Sequence, residues 1–232
     1  MKIPKIIHQT APKNEKEWHP IWKECQQSWK NNFQDFEYIM WDDEDIRDLV
    51  KSDYPKFLDH YDSWPYHIMR VDFARFCILH KYGGIYADMD MYCYSNFYNF
   101  LKNKSVYLIE SWPEWGEKVS NCLMASSQKN NFWEICMEKS IVNFDIIENS
   151  NISFDKVKFV LNSFGPKYMS KLIDDEIGIL PKEKFYQRAE FQFNNAGSEY
   201  NSEKYKKILN EFYTLTQTNT DFFTRHCLTS VW

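Results

Sequence analysis

Two aspartates one residue apart, Asp88 and Asp90 in the run I-Y-A-D-M-D-M (85–91), are the residues whose type and spacing first suggest chemistry. Read as a strand, the run has a period of two that puts Tyr86, Asp88 and Asp90 on one face and Ile85, Ala87, Met89 and Met91 on the other. The second face can pack against a core. Strands are depleted in Asp, and neighbouring carboxylates repel, so the first face calls for a compensating cation or full solvation. Oxygen ligands select hard divalent ions such as Mg²⁺ or Mn²⁺, which keep waters and bind substrate phosphates. A D-x-D by itself is also common as a solvated loop.

Upstream, Asp72 and Arg75 stand three residues apart among apolar neighbours (Val71, Phe73, Ala74, Phe76), so they share one face of a largely buried helix. They could be a buried ion pair that fastens helix to sheet, or a clamp for substrate hydroxyls. That helix is predicted over 66–82, closed by Gly83-Gly84 with the first glycine in a left-handed cap. Before it come a strand at 3–7, a helix at 15–31 with Trp18, Trp22, Cys25 and Trp29 at helical spacing, a strand at 36–41, and an acid-started helix ending near 50. After the two aspartates, strands are expected at 105–110 and 119–125, helices at 131–147, 166–174 and 203–212, and a strand with a turn at 177–185. Alternating strands and helices predict an α/β fold with a parallel sheet.

Composition narrows the classes. The chain has 232 residues, 44% hydrophobic and 18% aromatic, enough for one sizeable core. Its net charge of −5 offers no footprint for nucleic acid. The cysteines, 25, 77, 93, 122, 136 and 227, show no metal-binding or disulfide-scaffold spacing. The first residues lack a signal-peptide core, and no apolar run approaches the roughly 18 residues that span a bilayer. The expectation is a reduced, cytoplasmic protein with at most peripheral membrane contact.

The motifs taken together resemble glycosyltransferase family 32, the DxD-containing sugar transferases related to the catalytic core of the clostridial glucosylating toxins. They are R-x-D-x-x-R (Arg70, Asp72, Arg75), Y-G-G-I-Y-A-D-M-D (82–90), the opening I-P-K-I-I-H-Q-T (3–10) and Y-I-M-W-D-D (38–43). More loosely, Asn121 sits where members carry an Asn beside the sugar, N-S-F-G-P (162–166) looks like a T-G-P element, and R-H-C-L-T-S-V-W (225–232) resembles a C-terminal H-x-x-x-S-W segment with Val231 intervening.

The resemblance implies one GT-A domain over 1–232: a Rossmann-like αβα sandwich with a mostly parallel central sheet, holding a nucleotide-sugar through Mn²⁺ or Mg²⁺ and transferring a hexose with retention. Carried over by position, Asp90, with Asp88 and either His226 or Ser230, would bind metal. Asp88 would also bridge ribose, metal-bound water and sugar. Asp72, Arg75 and Asn121 would hold the donor sugar, with Tyr86 in support, and His8, Gln9, Trp41, Asp42 and Trp232 would contact the nucleotide. For His8 and Trp41 a core role remains the alternative reading. Glu110 is a further candidate for the reacting face, and Tyr107, Trp112 and Trp115 for acceptor-sugar platforms along 96–120 and 143–158. A UDP-sugar is favoured over GDP-mannose as donor, with a glycan, glycolipid or polysaccharide acceptor. A metal-independent glycoside hydrolase would need two carboxyls set across a sugar. A non-catalytic carbohydrate-binding module would have no use for the D-x-D.

Overall fold

The computed structural model describes residues 2–150, 155–188, 203–218, 221–227 and 229; Ser230 and Trp232 lie outside the described residues. The chain opens with β1 (Ile6–Thr10), α1 (Ile21–Asn32), β2 (Glu37–Trp41) and α2 (Asp43–Asp53). The first strand starts later than expected, after Pro4, which lacks a ladder donor. The Trp-rich segment is a short 3₁₀ turn and then α1, because Pro20 occupies the position before Ile21 and restrains the residue preceding it. Asp42 caps α2 with a capping box, its carboxylate accepting from the backbone of Glu44 and Asp45, an arrangement worth about 1 kcal/mol.

Next come α3 (Leu58–Ser63), α4 (His67–Tyr82), β3 (Gly84–Ala87), β4 (Met91–Cys93), β5 (Val106–Glu110) and β6 (Val119–Ser126). They are followed by α5 (Asn131–Glu148), α6 (Lys156–Ser163), α7 (Pro166–Met169), β7 (Gly178–Leu180), α8 (Lys182–Phe185), β8 (Gln187–Arg188), α9 (Glu203–Thr218) and β9 (Thr224–His226). The helix expected to run to 174 stops at Met169, and the one expected to end at 212 continues to Thr218.

The six-stranded sheet has the order β2-β1-β3-β6-β5-β7. β1 pairs in parallel with β2 and β3, and β5 with β7, while β6 is antiparallel to both its neighbours. Every strand but β6 therefore points the same way. A small second sheet, β4-β9-β8, stands beside it. Alternation along the strands divides two cores. Tyr86, Leu108 and Met124 face the side covered by α2, α4 and α5. Ile85, Ala87, Ile109, Leu123 and Ala125 face Trp29, Phe33 and Phe97. Strands buried on both faces are the mark of a sheet between helical layers.

One expectation fails at the centre. The strand predicted over 85–91 ends at Ala87; the chain turns, with Met91 N–H donating to the Asp88 carbonyl at 3.0 Å, and resumes as β4. The two aspartates therefore share a turn at the edge of the sheet where β1 and β3 end, and they do not line one strand face. Such C-terminal strand edges are where α/β sheets bind ligands.

α4 reaches β3 through Gly83 and Gly84, at φ +62° and +90°. Gly83 has ψ −152°, a glycine-only region and not the left-handed cap expected of it. A Cβ on Gly84 would stand 2.6 Å from the Ile6 carbonyl oxygen, and one on Gly83 2.7 Å from that of Ser126. Gly84→Ala is expected to cost about 2 to 4 kcal/mol through combined strain and clash, read as a lower urea midpoint at unchanged slope. A loss below 0.5 kcal/mol would show that the turn relaxes freely.

Candidate active site

Arg75 lies at the centre of the polar cluster, buried on α4. Its Nη1 meets Asp72 Oδ1 at 2.9 Å and its Nη2 meets Asp88 Oδ1 at 3.0 Å, and the guanidinium sits 5.0 Å from the Tyr86 ring centroid. Arg75 Nη1 also donates to the Asn121 carbonyl at 3.3 Å, and Asn121 Nδ2 donates to Asp72 Oδ1 at 2.9 Å. The Tyr86 hydroxyl donates to Asp88 Oδ1 at 2.9 Å and lies 2.9 Å from Thr10 Oγ1. Both contacts on the Asp88 carboxylate fall on Oδ1, so Oδ2 is left without a hydrogen-bond partner among the described residues.

Asp90 is held by the chain's far end. The Thr229 backbone N–H and hydroxyl both donate to its Oδ2, at 2.9 and 3.1 Å, and Cys227 N–H donates to its carbonyl at 2.8 Å. His226 Nε2 stands 3.1 Å from Asp90 Oδ1, while its Nδ1 is 3.1 Å from the Tyr186 hydroxyl. Asp88, Asp90 and His226 each present a ligand atom within 4.8 Å of the other two. Two carboxylates and an imidazole at that spacing fit a divalent ion of the Mn²⁺ or Mg²⁺ type.

Electrostatics separates the acids. Burial raises the Asp72 carboxyl to about 6 against the pull of Arg75, and burial likewise raises Asp88. Burial alone would raise Asp90 too, but the charge and hydrogen bond of His226, with the Thr229 donors, bring it down to about 2. His226 is raised in return: burial opposes its charge, and Asp90 outweighs burial. A cation held between them would take over the charge compensation that His226 gives Asp90.

These groups line a cavity of about 510 Å³. Asp72, Arg75, Asp88, Asp90, Asn121 and His226 all face it. Most of the other sequence assignments do not. His8 is fully buried, with its Nε2 2.9 Å from the Gly83 carbonyl and its Nδ1 accepting from Trp41 Nε1 at 3.1 Å; burial lowers its pKa to about 4. Both ring nitrogens are thus used, so His8 and Trp41 are core residues and not nucleotide contacts. Gln9 donates to the Asp88 carbonyl and accepts from the Tyr38 hydroxyl, which makes it a brace for the turn. Asp42 is spent on its helix cap, and its neighbour Asp43 lines the cavity instead. Tyr86 supports Asp88 from behind. Glu110 pairs with Lys182 at 2.6 Å away from the cavity, the Tyr107 hydroxyl accepts from the backbone of Asn103 and Lys104, and of the three aromatic platforms only Trp115 lines the cavity. Sequence reasoning singles out none of Tyr186, Thr229, Glu117 and Lys167, although Glu117 falls in the expected acceptor region 96–120 and Thr229 in the segment 225–232. No local pattern marks them, and only the short R-H-C-L-T segment hinted that the C-terminal region returns to the site.

Residues 20–108 match the family described as a glycosyltransferase sugar-binding region containing a DXD motif. Inositol phosphoceramide mannosyltransferase 3 of Schizosaccharomyces pombe is 42% identical over 118 residues, 51% of this chain and 30% of that protein. A mannosyl phosphorylinositol ceramide synthase of Saccharomyces cerevisiae is 33% identical over 173 residues, 72% of this chain and 41% of that protein. The chain thus spans less than half the length of these relatives. The ligand-free glycosyltransferase domain from the YGT toxin shares the fold, with a TM-score of 0.52 at 11% identity over 77% of this chain and 80% of that one. The fold is that of the GT-A glycosyltransferases.

The His226–Asp90 pair sets a pH window. His226 is raised above 6.5, so its contribution to stability is complete below that value and is lost as pH rises through its folded pKa; Asp90 is lowered from 3.8 to about 2, so its contribution is present above 3.8 and is lost as pH falls toward 2. In chelator, the Tm difference between wild type and His226→Gln is expected to be greatest between about pH 4 and 6.5 and to shrink above it. A difference constant from pH 5 to 9 would remove the pair.

Proposed function

We propose that this chain, which belongs to the DXD-containing glycosyltransferases of family 32, is the catalytic part of a metal-dependent retaining mannosyltransferase. Its donor would be GDP-mannose and its acceptor a glycolipid bearing a phosphoinositol headgroup. The observation that carries this reading is the convergence of Asp88, Asp90 and His226 with Asp72, Arg75 and Asn121 on one cavity. The sequence alone favoured a UDP-sugar; the printed names of the relatives favour mannose and inositol phosphoceramide, and the proposal follows them.

In this reading Asp90, Asp88 Oδ2 and His226 Nε2 are the metal ligands. A divalent ion there supplies charge neutralisation for the departing diphosphate. Tyr186, bonded to Nδ1, fixes which imidazole nitrogen faces Asp90. Asp72 and Asn121 present a carboxylate and an amide to the hydroxyls of the transferred sugar, and Arg75 keeps that carboxylate from facing Asp88 uncompensated. The chain's task is positioning and charge stabilisation. A front-face retaining transfer, in which the leaving phosphate takes the acceptor proton, requires no protein base.

The test is mannosyl transfer from GDP-mannose to a phosphoinositol lipid with Mn²⁺, beside a thermal-shift panel of GDP and UDP with Mn²⁺ or chelator. GDP at about 100 times its dissociation constant is expected to add about 2.7 kcal/mol, a gain abolished by chelator. Asp90→Asn is expected to lower transfer at least 100-fold, the scale at which loss of a charge-stabilising group is felt. Near wild-type transfer by that variant would overturn the metal assignment, and a shift with UDP alone would overturn the donor.

A further inference from the structure

The residues that line the cavity come from both sides of the central aspartates, one arm of the lining on each. On the β1 and β2 side the cavity is lined by Thr10, Ala11, Trp22 and Asp43; on the β6 side it is lined by Trp115, Glu117, Ser120 and Lys167. Asp88 and Asp90 lie between them, because β3 stands between β1 and β6 in the sheet. A donor whose diphosphate meets the central acids and whose nucleoside follows the strand-one edge leaves the β6 arm to the acceptor.

That arm carries a lysine whose charge acts on Glu117 across the arm. Apart from the histidines, Arg75 and Lys167 are the basic residues lining the cavity, and Arg75 is taken up by Asp72 and Asp88. Lys167, half-buried, makes no hydrogen bond or ion pair with any described residue. On the same arm, Glu117 Oε1 accepts from the Ser111 hydroxyl at 2.8 Å, which leaves Oε2 for a ligand. The two segments are tied together. Ser170 Oγ donates to the Pro166 carbonyl at 2.8 Å and accepts from the backbone N–H groups of Lys118 and Val119 at 2.9 and 3.2 Å. Ser111 N–H donates to the Lys118 carbonyl at 3.0 Å, closing the loop that bears Glu117. The backbone segments that carry the lysine and the carboxylate are therefore tied together through the Ser170 hydroxyl, which sets where the two side chains start.

We propose that Lys167 and Glu117 form the acceptor subsite: the Lys167 ammonium takes the acceptor's phosphodiester, and Glu117 accepts hydroxyls of the polyol attached to it. This rests on the transferase reading above and names the residues that would read its acceptor. An ammonium on a flexible stem suits a phosphate that meets it as a point charge, and a carboxylate suits a ring of hydroxyl donors.

Two soluble probes test it: glycerophosphoinositol, which carries the phosphodiester, and myo-inositol, which does not. With the protein saturated in GDP and Mn²⁺, calorimetric binding of glycerophosphoinositol is expected to weaken at least tenfold in Lys167→Gln and to survive in Lys167→Arg. In the transfer assay the wild type is expected to prefer glycerophosphoinositol at least tenfold in kcat/KM, and Lys167→Gln to bring that preference within threefold of unity. Glu117→Gln is expected to weaken both probes alike. Binding and preference indifferent to Lys167→Gln overturn the subsite, as does a wild type that treats the two probes equally. A Lys167→Gln variant whose defect is a raised KM for GDP-mannose overturns it too, placing the lysine on the donor diphosphate. A wild type that binds glycerophosphoinositol through Lys167 yet transfers to neither probe overturns the transferase reading and leaves the subsite standing.

Discussion

A buried guanidinium shared between a buried carboxylate and a half-buried one is the constraint on which the site depends. Asp72 and Asp88 come from a helix and from the turn after a strand, and the charge of Arg75 between them opposes the rise in pKa that burial imposes on both. The geometry follows from local rules. Asp72 and Arg75 are helical neighbours, while Asp88 is placed by a backbone bond from its N–H to the Cys122 carbonyl at 2.8 Å. Around this core the remaining polar groups serve as braces: Tyr86 and Thr10 behind Asp88, Gln9 beneath its carbonyl, Asn121 against Asp72. At the centre of the site each charge answers another.

The second requirement is a route for the C-terminal segment back to the centre. β9 pairs with β4, immediately after the aspartate turn, and that register sets His226 opposite Met91. Trp22 Nε1 donates to Thr229 Oγ1 at 3.1 Å, so α1 also holds the segment down. Asp90 thereby gains donors from residues far away in sequence, which explains why its acidity differs so sharply from that of Asp88, two residues earlier.

Much of this was legible in the sequence, for identifiable reasons. Asp72 and Arg75 are close along the chain, so helical spacing alone brings them together, and the alternation of strands and helices announced a sheet between helical layers. The turn that ends β3 at Ala87 is not visible in the sequence because period-two alternation looks the same whether a strand continues over 85–91 or turns at Asp88. His8, Gln9, Trp41 and Asp42 were placed at a nucleotide because polar residues at a strand end look alike whether their atoms face a ligand or the backbone; here Gly83, Asp88 and the start of α2 use them. Tyr186, Glu117 and Lys167 left no trace because their value arises from partners that only the folded chain supplies. Tyr186 meets His226 across 40 residues.

The small β4-β9-β8 sheet has a consequence for biosynthesis. Its strands come from widely separated parts of the chain, and the contacts that secure Asp90 span 139 residues. Emerging from the ribosome amino terminus first, the chain can lay down β1 to β3 and the aspartate turn well before β9 exists. During that interval the D-x-D turn is present while Asp90 lacks both its histidine and its threonine donors. Closure of these contacts, each with a large loop entropy to overcome, is a late event in assembly. The protein therefore acquires its complete constellation of charges only once synthesis has passed Thr229, and a chain halted before Thr224 would carry the motif without the centre.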